Sequence, residues 1–162
     1  MVFDRLANKT RWIHVITFSE EKFADAWPEF QHLAQAHWDE TMRPVSQDAF
    51  RPDVKRFTQY NETGFYRLYI ARKDGIMVGD LGVYISDSMH TQKRVASEDS
   101  WYMVPEVRNG RTALRFVQFV EDELKKLGVT SIDTTTPPNK NSRKLLEFLG
   151  YKHIADHLHK EI

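Results

Sequence analysis

A short basic segment between a strand-like stretch and a helix-like stretch is the part of this sequence best suited to chemistry. Residues 98–104 are rich in aromatic and β-branched side chains, and Pro105, which cannot donate to a ladder, ends that stretch. The segment 108–111, Arg-Asn-Gly-Arg, follows, and its Gly110 can adopt a positive φ. A helix that starts here would direct its free N–H groups and positive dipole end at one point. The segment therefore predicts an anion site suited to phosphate.

Three histidines near the C-terminus invite a metal interpretation. His153, His157 and His159 lie within the last ten residues, and the latter two would share one face of a strand. No convincing set of carboxylate partners accompanies them, and a metal ion needs a fuller set of ligands. The chain also has no cysteine, which excludes zinc–thiolate sites, disulfides and a cysteine nucleophile. We therefore predict no metal site.

Regular elements on either side must hold the basic segment in place. Apolar residues recur after it at helical spacing, at Ala113, Phe116, Val117, Val120, Leu124 and Leu127. A β-branched strand is predicted over 129–135, and a short helix over 142–149. Two short strands, 151–155 and 157–162, are predicted to end the chain.

The first half of the chain predicts a strand, a helical region and a hairpin. Residues 12–18 are predicted as the first strand, and Ser19 as the N-cap of a helical region over 20–42. Pro28 lies inside that region, where we expect a kink or a break into two helices. A hairpin is predicted over 65–86, because an Asp-Gly turn lies between two apolar runs.

This element order is typical of one mixed α/β domain, which we expect to span residues 1–162. Strands are joined both by a hairpin and by helical crossovers. Gly79 and Gly82 interrupt the second hairpin strand, which predicts a bulge or a close approach of another chain segment.

The composition argues against several classes of function. Lys plus Arg and Asp plus Glu both number 23, so the net charge is zero, whereas a general binder of nucleic acid or of a membrane surface would be basic. No run of about 18 apolar residues is present, so no membrane span is predicted. The N-terminus lacks the apolar core of a signal peptide. We therefore expect a cytoplasmic protein.

Two blocks of the sequence resemble the GNAT superfamily of N-acetyltransferases. Residues 102–113, YMVPEVRNGRTA, resemble the family's acyl-CoA-binding motif Gln/Arg-x-x-Gly-x-Gly/Ala. Arg108 matches its first position and Ala113 its last, whereas Arg111 stands at the middle glycine position. Residues 141–151, NSRKLLEFLGY, resemble the family's late helix. Small GNAT-like proteins encoded by bacteriophages sometimes carry a similar basic turn.

The resemblance implies the GNAT fold and a site for acetyl-CoA. In that fold a central mixed, mostly antiparallel sheet has helices on both faces and a splayed V between strands 4 and 5. The pyrophosphate would sit on the N–H groups of residues 109–113, and the pantetheine arm would add like a strand near residues 103 and 104. The cofactor-binding residues so implied are Met103, Val104, Arg108, Asn109, Gly110, Arg111, Thr112, Ala113, Asn139 and Asn141.

The resemblance also implies that an amine attacks the thioester directly, with a carboxylate on the fourth strand as general base. Counting back from the motif without gaps puts this base at Asp99, and Glu98 would serve instead if the strand carries a bulge. Because side chains alternate along a strand, only one of the two faces the cleft. The tyrosine that often protonates the leaving thiolate is replaced by Leu146, so Tyr102, Tyr151 or solvent would have to substitute.

The sequence thus predicts an acetyl-CoA-dependent N-acetyltransferase that acts on a primary amine of a small molecule or a protein. Residues 37–40, which end the first helical region, are expected to contact the acceptor. One alternative is a non-catalytic GNAT-fold module for binding or structure, motivated by Leu146. Another is acyl transfer onto nucleic acid, which the neutral charge disfavours. Dimers are common in the family, so a homodimer is an expected state.

Overall fold

A five-stranded sheet with strand order β1-β2-β3-β4-β5 organises the chain. The computed structural model describes residues 15–136, 141–160 and 162. The strands are β1 (Ile16–Glu21), β2 (Tyr66–Lys73), β3 (Ile76–Asp87), β4 (Arg94–Met103) and β5 (Ser131–Asp133). The helices are α1 (Phe23–Thr41), α2 (Val54–Thr63), α3 (Gly110–Lys126) and α4 (Ser142–Phe148), and Pro105–Val107 forms a 3₁₀ turn.

The first four strands pair antiparallel, and only β4 and β5 run parallel. That parallel pairing covers three residue pairs, ending with Ser97 opposite Asp133. Beyond this point β4 continues to Met103 without β5 beside it, which leaves an opening between residues 98–103 and the chain after β5. We call this opening the β4–β5 gap. The predicted mixed, mostly antiparallel sheet with a splayed V between strands 4 and 5 is confirmed.

Each face of the sheet carries its own apolar core. On one face α1 packs through Phe23, Phe30 and Leu33 on β2 and β4, with α2 beside it. On the other face the apolar stripe of α3 predicted from its spacing packs on the sheet, and Leu146 of α4 joins it. We call these the α1–α2 face and the α3–α4 face.

The β2–β3 hairpin forms as predicted, with Asp74 and Gly75 both at positive φ in its turn. Both glycines of β3 lie where the sheet is tight. A Cβ atom on Gly79 would lie 2.9 Å from the Tyr102 carbonyl oxygen, and one on Gly82 would lie 2.1 Å from the Tyr66 hydroxyl oxygen. The predicted close approach is therefore present at both positions.

The N-terminal predictions need three corrections. The first strand is Ile16–Glu21 rather than 12–18, and residues 12–14 lie outside the described residues. Ser19 lies within that strand and is not an N-cap, because Glu20 and Glu21 form ion pairs with arginines of β2 and belong to the sheet. Of the kink or break expected at Pro28, the break does not occur, because α1 is continuous from Phe23 to Thr41. Proline removes one backbone bond there, while the buried stripe of α1 continues past it.

The C-terminal predictions also need correction. β5 spans only three of the seven residues predicted, and no strand forms at 151–155 or over the described residues after 156. The apolar side chains of that tail, Ile154 and Leu158, are exposed. With so short an edge strand, these residues find neither ladder partners nor a face to bury against.

Candidate active site

A β-bulge in β4 separates the two carboxylates that the sequence singled out. Gly82 of β3 lies opposite Ser100, and the next residue, Val83, lies opposite Glu98, so Asp99 is an extra residue without a partner on β3. Glu98 contacts the chain after β5, whereas Asp99 receives hydrogen bonds from hydroxyls on the α1–α2 face. The two side chains therefore lie on opposite faces of the sheet.

Glu98 closes the base of the β4–β5 gap. Its Oε2 accepts hydrogen bonds from the Thr134 hydroxyl at 2.6 Å and from the Thr135 N–H at 3.2 Å. These bonds follow directly after the last β4–β5 residue pair. Burial raises the pKa of Glu98, while the bonds from Thr134 and Thr135 lower it. Glu98 thus joins the two strands at the point where they diverge.

Asp99 is more exposed than Glu98 and lies among tyrosines. The hydroxyls of Tyr84 and Tyr66 hydrogen-bond its carboxylate and lower its pKa, but desolvation by the surrounding protein outweighs them, so the pKa of Asp99 is raised. A carboxylate with a raised pKa is a better base than a free aspartate.

Tyr102 is nearly buried on the α1–α2 face. Its ring stacks on the His37 ring of α1, with 5.4 Å between centroids, and the Arg108 guanidinium lies 5.0 Å from the ring centroid. Burial lowers the pKa of His37, so its imidazole is neutral near neutral pH. His37 is therefore brought next to β4, at the edge of the predicted acceptor region.

The α3–α4 face of the gap holds Leu146 and Tyr151. Leu146, at the position where the resemblance implies tyrosine, is buried in the core. Tyr151 lines the same small pocket, together with Glu98, Trp101 and Glu121. Burial and a hydrogen bond with Glu121 raise the pKa of Tyr151, which keeps its hydroxyl protonated.

The basic segment has fewer free groups than the sequence predicted. Asn109 is the N-cap of α3, and its side chain accepts the Thr112 N–H at 2.9 Å. The Ala113 N–H bonds the Asn109 carbonyl at 3.1 Å. Among the described first-turn N–H groups of the helix, that of Arg111 remains for an anion.

The Arg108 side chain is engaged by other groups of the protein. Its Nε donates to the Met103 carbonyl at 2.6 Å, and its two terminal nitrogens bind both carboxylate oxygens of Glu40 on α1, at 2.8 and 2.5 Å. This bidentate pair ties the end of α1 to the turn after β4. Arg108 therefore acts first as a link between these elements.

At the strand end predicted to receive the pantetheine arm, the backbone groups of Val104 already have partners within the protein. Val104 donates its N–H to the Val78 carbonyl of β3, and its carbonyl accepts the Val107 N–H. Because N–H groups of successive strand residues point to opposite edges, the Met103 N–H faces the β4–β5 gap. Asn141 is the N-cap residue of α4 without a capping bond from its side chain, and Asn139 lies outside the described residues.

A third carboxylate, which the sequence did not single out, lies beside this site. Asp80 of β3 is 1% exposed, and its Oδ2 accepts the Ser100 hydroxyl at 2.9 Å. The signal available in the sequence was an aspartate between two glycines in an otherwise apolar strand. Within the described ranges, no group of three or more possible ligand residues is arranged to hold a metal ion.

Comparisons with known proteins agree with this geometry. Residues 26–151 match the model of the Acetyltransferase (GNAT) family. Since the match spans most of the chain, the chain belongs to the GNAT family. This confirms the family and the enzyme class, an N-acetyltransferase, that the two sequence blocks predicted. Among the residues with described structure, no helix is long and apolar enough to cross a membrane. A search of curated protein sequences gives no match.

Many solved structures share the fold, and three illustrate the range. Ribosomal-protein-alanine N-acetyltransferase from Brucella melitensis biovar Abortus 2308 is 21% identical, with a TM-score of 0.71 over 92% of this chain and 97% of that one. Aminoglycoside acetyltransferase HMB0005 from an uncultured soil metagenomic sample is 12% identical, with a TM-score of 0.74 over 91% and 99%. A predicted acetyltransferase from Clostridium acetobutylicum with acetyl-CoA is 13% identical, with a TM-score of 0.65 over 91% and 96%. At these identities the likeness shows a common fold.

Proposed function

We propose that this GNAT-family chain transfers the acetyl group of acetyl-CoA to a primary amine by direct attack of the amine on the thioester. The resemblance gave this role to Glu98 if the strand carried a bulge, and β4 does carry one. The observation that carries the proposal is instead the face on which each carboxylate lies: Glu98 is bound by Thr134 and Thr135 on the α3–α4 face, whereas Asp99 lies on the α1–α2 face beside the β4–β5 gap, with no strand partner. A base must reach the proton that it removes, and Asp99 is the carboxylate on that face with a partly exposed side chain.

The β4–β5 gap has the features that acetyl-CoA would need. The N–H group of Arg111 at the start of α3 suits the pyrophosphate, since it combines a donor with a positive dipole end. The Met103 N–H at the gap suits a carbonyl of the pantetheine arm. Inside the gap, the indole N–H of Trp101 is buried with no partner among the described residues, and such an orphaned donor would be satisfied by a ligand carbonyl. The Clostridium acetobutylicum relative, solved with acetyl-CoA, supports this choice of cosubstrate.

Asp99 is the proposed general base and Glu98 a positioning residue. The amine nitrogen attacks the thioester carbon, Asp99 takes the proton that the nitrogen loses, and the carbon–sulfur bond breaks to release CoA thiolate. Glu98 is bound through its Oε2 by Thr134 and Thr135 on the other face, which engages that oxygen.

Tyr151 is the proposed donor to the leaving thiolate. It lines the pocket formed by Glu98 and Leu146, on the side of the gap from which the family's usual tyrosine acts. Its raised pKa keeps the hydroxyl protonated, so Tyr151 stabilises the forming thiolate by donating a hydrogen bond. Tyr102, the other tyrosine considered, is held between His37 and Arg108 on the opposite face.

The acceptor is proposed to approach over the end of α1, past His37 and Tyr102. A relative named for acetylating ribosomal-protein alanine and others named for aminoglycosides support an amine acceptor, of protein or small-molecule type.

The test has two stages. Calorimetry with acetyl-CoA first measures binding, and no heat at high micromolar concentration would remove the proposal. Thiol release over a panel of primary amines then measures turnover. Acetyl-CoA binding with no turnover for any amine would favour the non-catalytic module, the alternative motivated by Leu146. Amine-dependent release of the CoA thiol supports the enzyme.

A further inference from the structure

The Arg108 side chain joins the end of β4 to the end of α1 by three hydrogen bonds. Its Nε donates to the Met103 carbonyl at 2.6 Å, and its terminal nitrogens donate to the two carboxylate oxygens of Glu40 at 2.8 and 2.5 Å. The same guanidinium lies 5.0 Å from the centroid of the Tyr102 ring. We call these three bonds the Arg108 bridge.

The Met103 carbonyl lies on the edge of β4 that is open to the β4–β5 gap. Met103 lies opposite Gly79 of β3, and the next residue, Val104, donates its N–H to the Val78 carbonyl at 2.9 Å. In an antiparallel ladder, this pattern means that Met103 and Gly79 do not bond each other. The N–H and the carbonyl of Met103 therefore both point away from β3, towards the gap.

A pantetheine arm that adds to β4 like a strand would use both of these backbone groups. It would accept the Met103 N–H and donate an amide N–H to the Met103 carbonyl, with about 2.9 Å between nitrogen and oxygen. The Arg108 Nε already lies 2.6 Å from this oxygen. The guanidinium and the incoming amide therefore compete for the same carbonyl.

The start of α3 offers the Arg108 guanidinium a second anionic partner. Arg108 precedes Gly110, the first residue of α3, by two positions. The pyrophosphate proposed at this helix start can bind a guanidinium through two oxygens, as the Glu40 carboxylate does. The side chains of Arg108 and Glu40 are 36% and 29% exposed, so water weakens the ion pair that would have to break.

We propose that the Arg108 bridge is a latch across the cosubstrate site, which acetyl-CoA opens when it binds. The pantetheine amide replaces Arg108 at the Met103 carbonyl, and the pyrophosphate replaces Glu40 as the partner of the guanidinium. The end of α1 then loses its link to the turn after β4. This inference rests on the proposed binding of acetyl-CoA in the β4–β5 gap.

Calorimetry with acetyl-CoA on the full chain compares Glu40→Gln with Asp39→Asn. Asp39 is the neighbouring carboxylate of α1, and it pairs with the exposed Arg43. Both variants remove one negative charge from the end of α1, so both reduce the repulsion of the CoA phosphates alike.

Only Glu40→Gln also removes the competitor for the Arg108 guanidinium. Glu40→Gln should therefore bind acetyl-CoA about fivefold more tightly than Asp39→Asn, which corresponds to about 1 kcal/mol. If the bridge is a fixed support that acetyl-CoA leaves intact, Glu40→Gln should bind no more tightly than Asp39→Asn. That result would overturn the proposal.

Hydrogen exchange in the wild type covers the case in which Glu40→Gln does not fold. The Met42 N–H donates to the Trp38 carbonyl at 2.8 Å at the end of α1. Saturating acetyl-CoA should speed exchange of this amide about threefold or more, because the link that holds the helix end is broken. Unchanged or slower exchange would contradict the latch.

The calorimetry separates a failure of the latch from a failure of the proposed function. If neither the wild type nor either variant binds acetyl-CoA, the proposed function fails and the latch fails with it. If all three proteins bind acetyl-CoA equally well, the proposed function stands and the latch alone is overturned. Binding by Glu40→Gln alone would support both.

Discussion

Replacing Asp80 with asparagine should stabilise the protein at alkaline pH more than at acidic pH. Burial raises the pKa of Asp80 to about 7 in the folded protein, against an ordinary value of 3.8. Between these values the unfolded chain loses this proton while the folded chain keeps it. The folded state then binds more protons, so the free energy of unfolding of the wild type falls as the pH rises from 3.8 towards 7 and levels off above it. The asparagine side chain does not titrate in this range, so the variant does not lose this stability.

The size of the effect follows from the two pKa values. Their difference corresponds to about 4 kcal/mol of stability lost in total by the wild type. Part of this is already lost at about pH 5, and roughly 2 to 3 kcal/mol remains to be lost between about pH 5 and about pH 8. The asparagine side chain leaves one buried polar atom unpaired, as the aspartate does, and that cost cancels when the two pH values are compared.

Urea unfolding followed by circular dichroism measures the effect. The difference in free energy of unfolding between Asp80→Asn and the wild type should grow in favour of the variant by roughly 2 to 3 kcal/mol from about pH 5 to about pH 8. Asp87→Asn, on the same strand but exposed, should show no such growth. An equal difference at both pH values would refute the account of Asp80 as a carboxyl held at a raised pKa.

Three further substitutions address the phosphate site, the acid and the tight contact in the sheet. Arg111→Glu should weaken acetyl-CoA binding at least about tenfold in calorimetry, because it places negative charge at the start of α3. Tyr151→Phe should lower kcat about a hundredfold in the thiol-release assay without changing acetyl-CoA affinity, because only the hydroxyl is lost. Gly82→Ala should lower the free energy of unfolding by about 1–3 kcal/mol in urea, since its Cβ would lie 2.1 Å from the Tyr66 hydroxyl oxygen.

Each of these has a matched control. Lys125→Glu makes the same charge change at the other end of α3 and should leave acetyl-CoA binding intact; an equal loss in both variants would argue against a phosphate at the helix start. Full turnover in Tyr151→Phe would pass the role of acid to Tyr102 or solvent. Ser86→Ala is an exposed change on the same strand, and a Gly82→Ala variant as stable as this control would contradict the overlap with Tyr66.

Local patterns predicted the centre of the fold well. The apolar stripe from Phe116 to Leu124 predicted α3, because the residues that recur at helical spacing are also the residues that pack against the sheet. The Asp74-Gly75 pair predicted the hairpin, because a two-residue hairpin turn needs a positive φ at both positions and few residue types adopt it. The glycines of β3 predicted close approaches that the structure contains.

Such local patterns could not predict features that depend on partners distant in the sequence. Glu20 and Glu21 suit the first turn of a helix, yet ion pairs with Arg67 and Arg72 keep them in β1. The bonds from Arg108 to Glu40 span 68 residues and engage a side chain that the sequence predicts near phosphate. The hydrogen bond from Ser100 to the buried Asp80 joins residues 20 positions apart, and nothing local in the sequence brings the two together.

Comparing Asp99→Asn with Glu98→Gln in the thiol-release assay tests the central claim most directly. Both changes remove one negative charge from neighbouring positions of β4, but on opposite faces of the sheet. With the best amine of the panel, Asp99→Asn should lower kcat by about a hundredfold or more. Glu98→Gln, which can still accept the Thr134 hydroxyl, should remain within about threefold of the wild type. Equal losses in the two variants, or the larger loss in Glu98→Gln, would contradict Asp99 as the base.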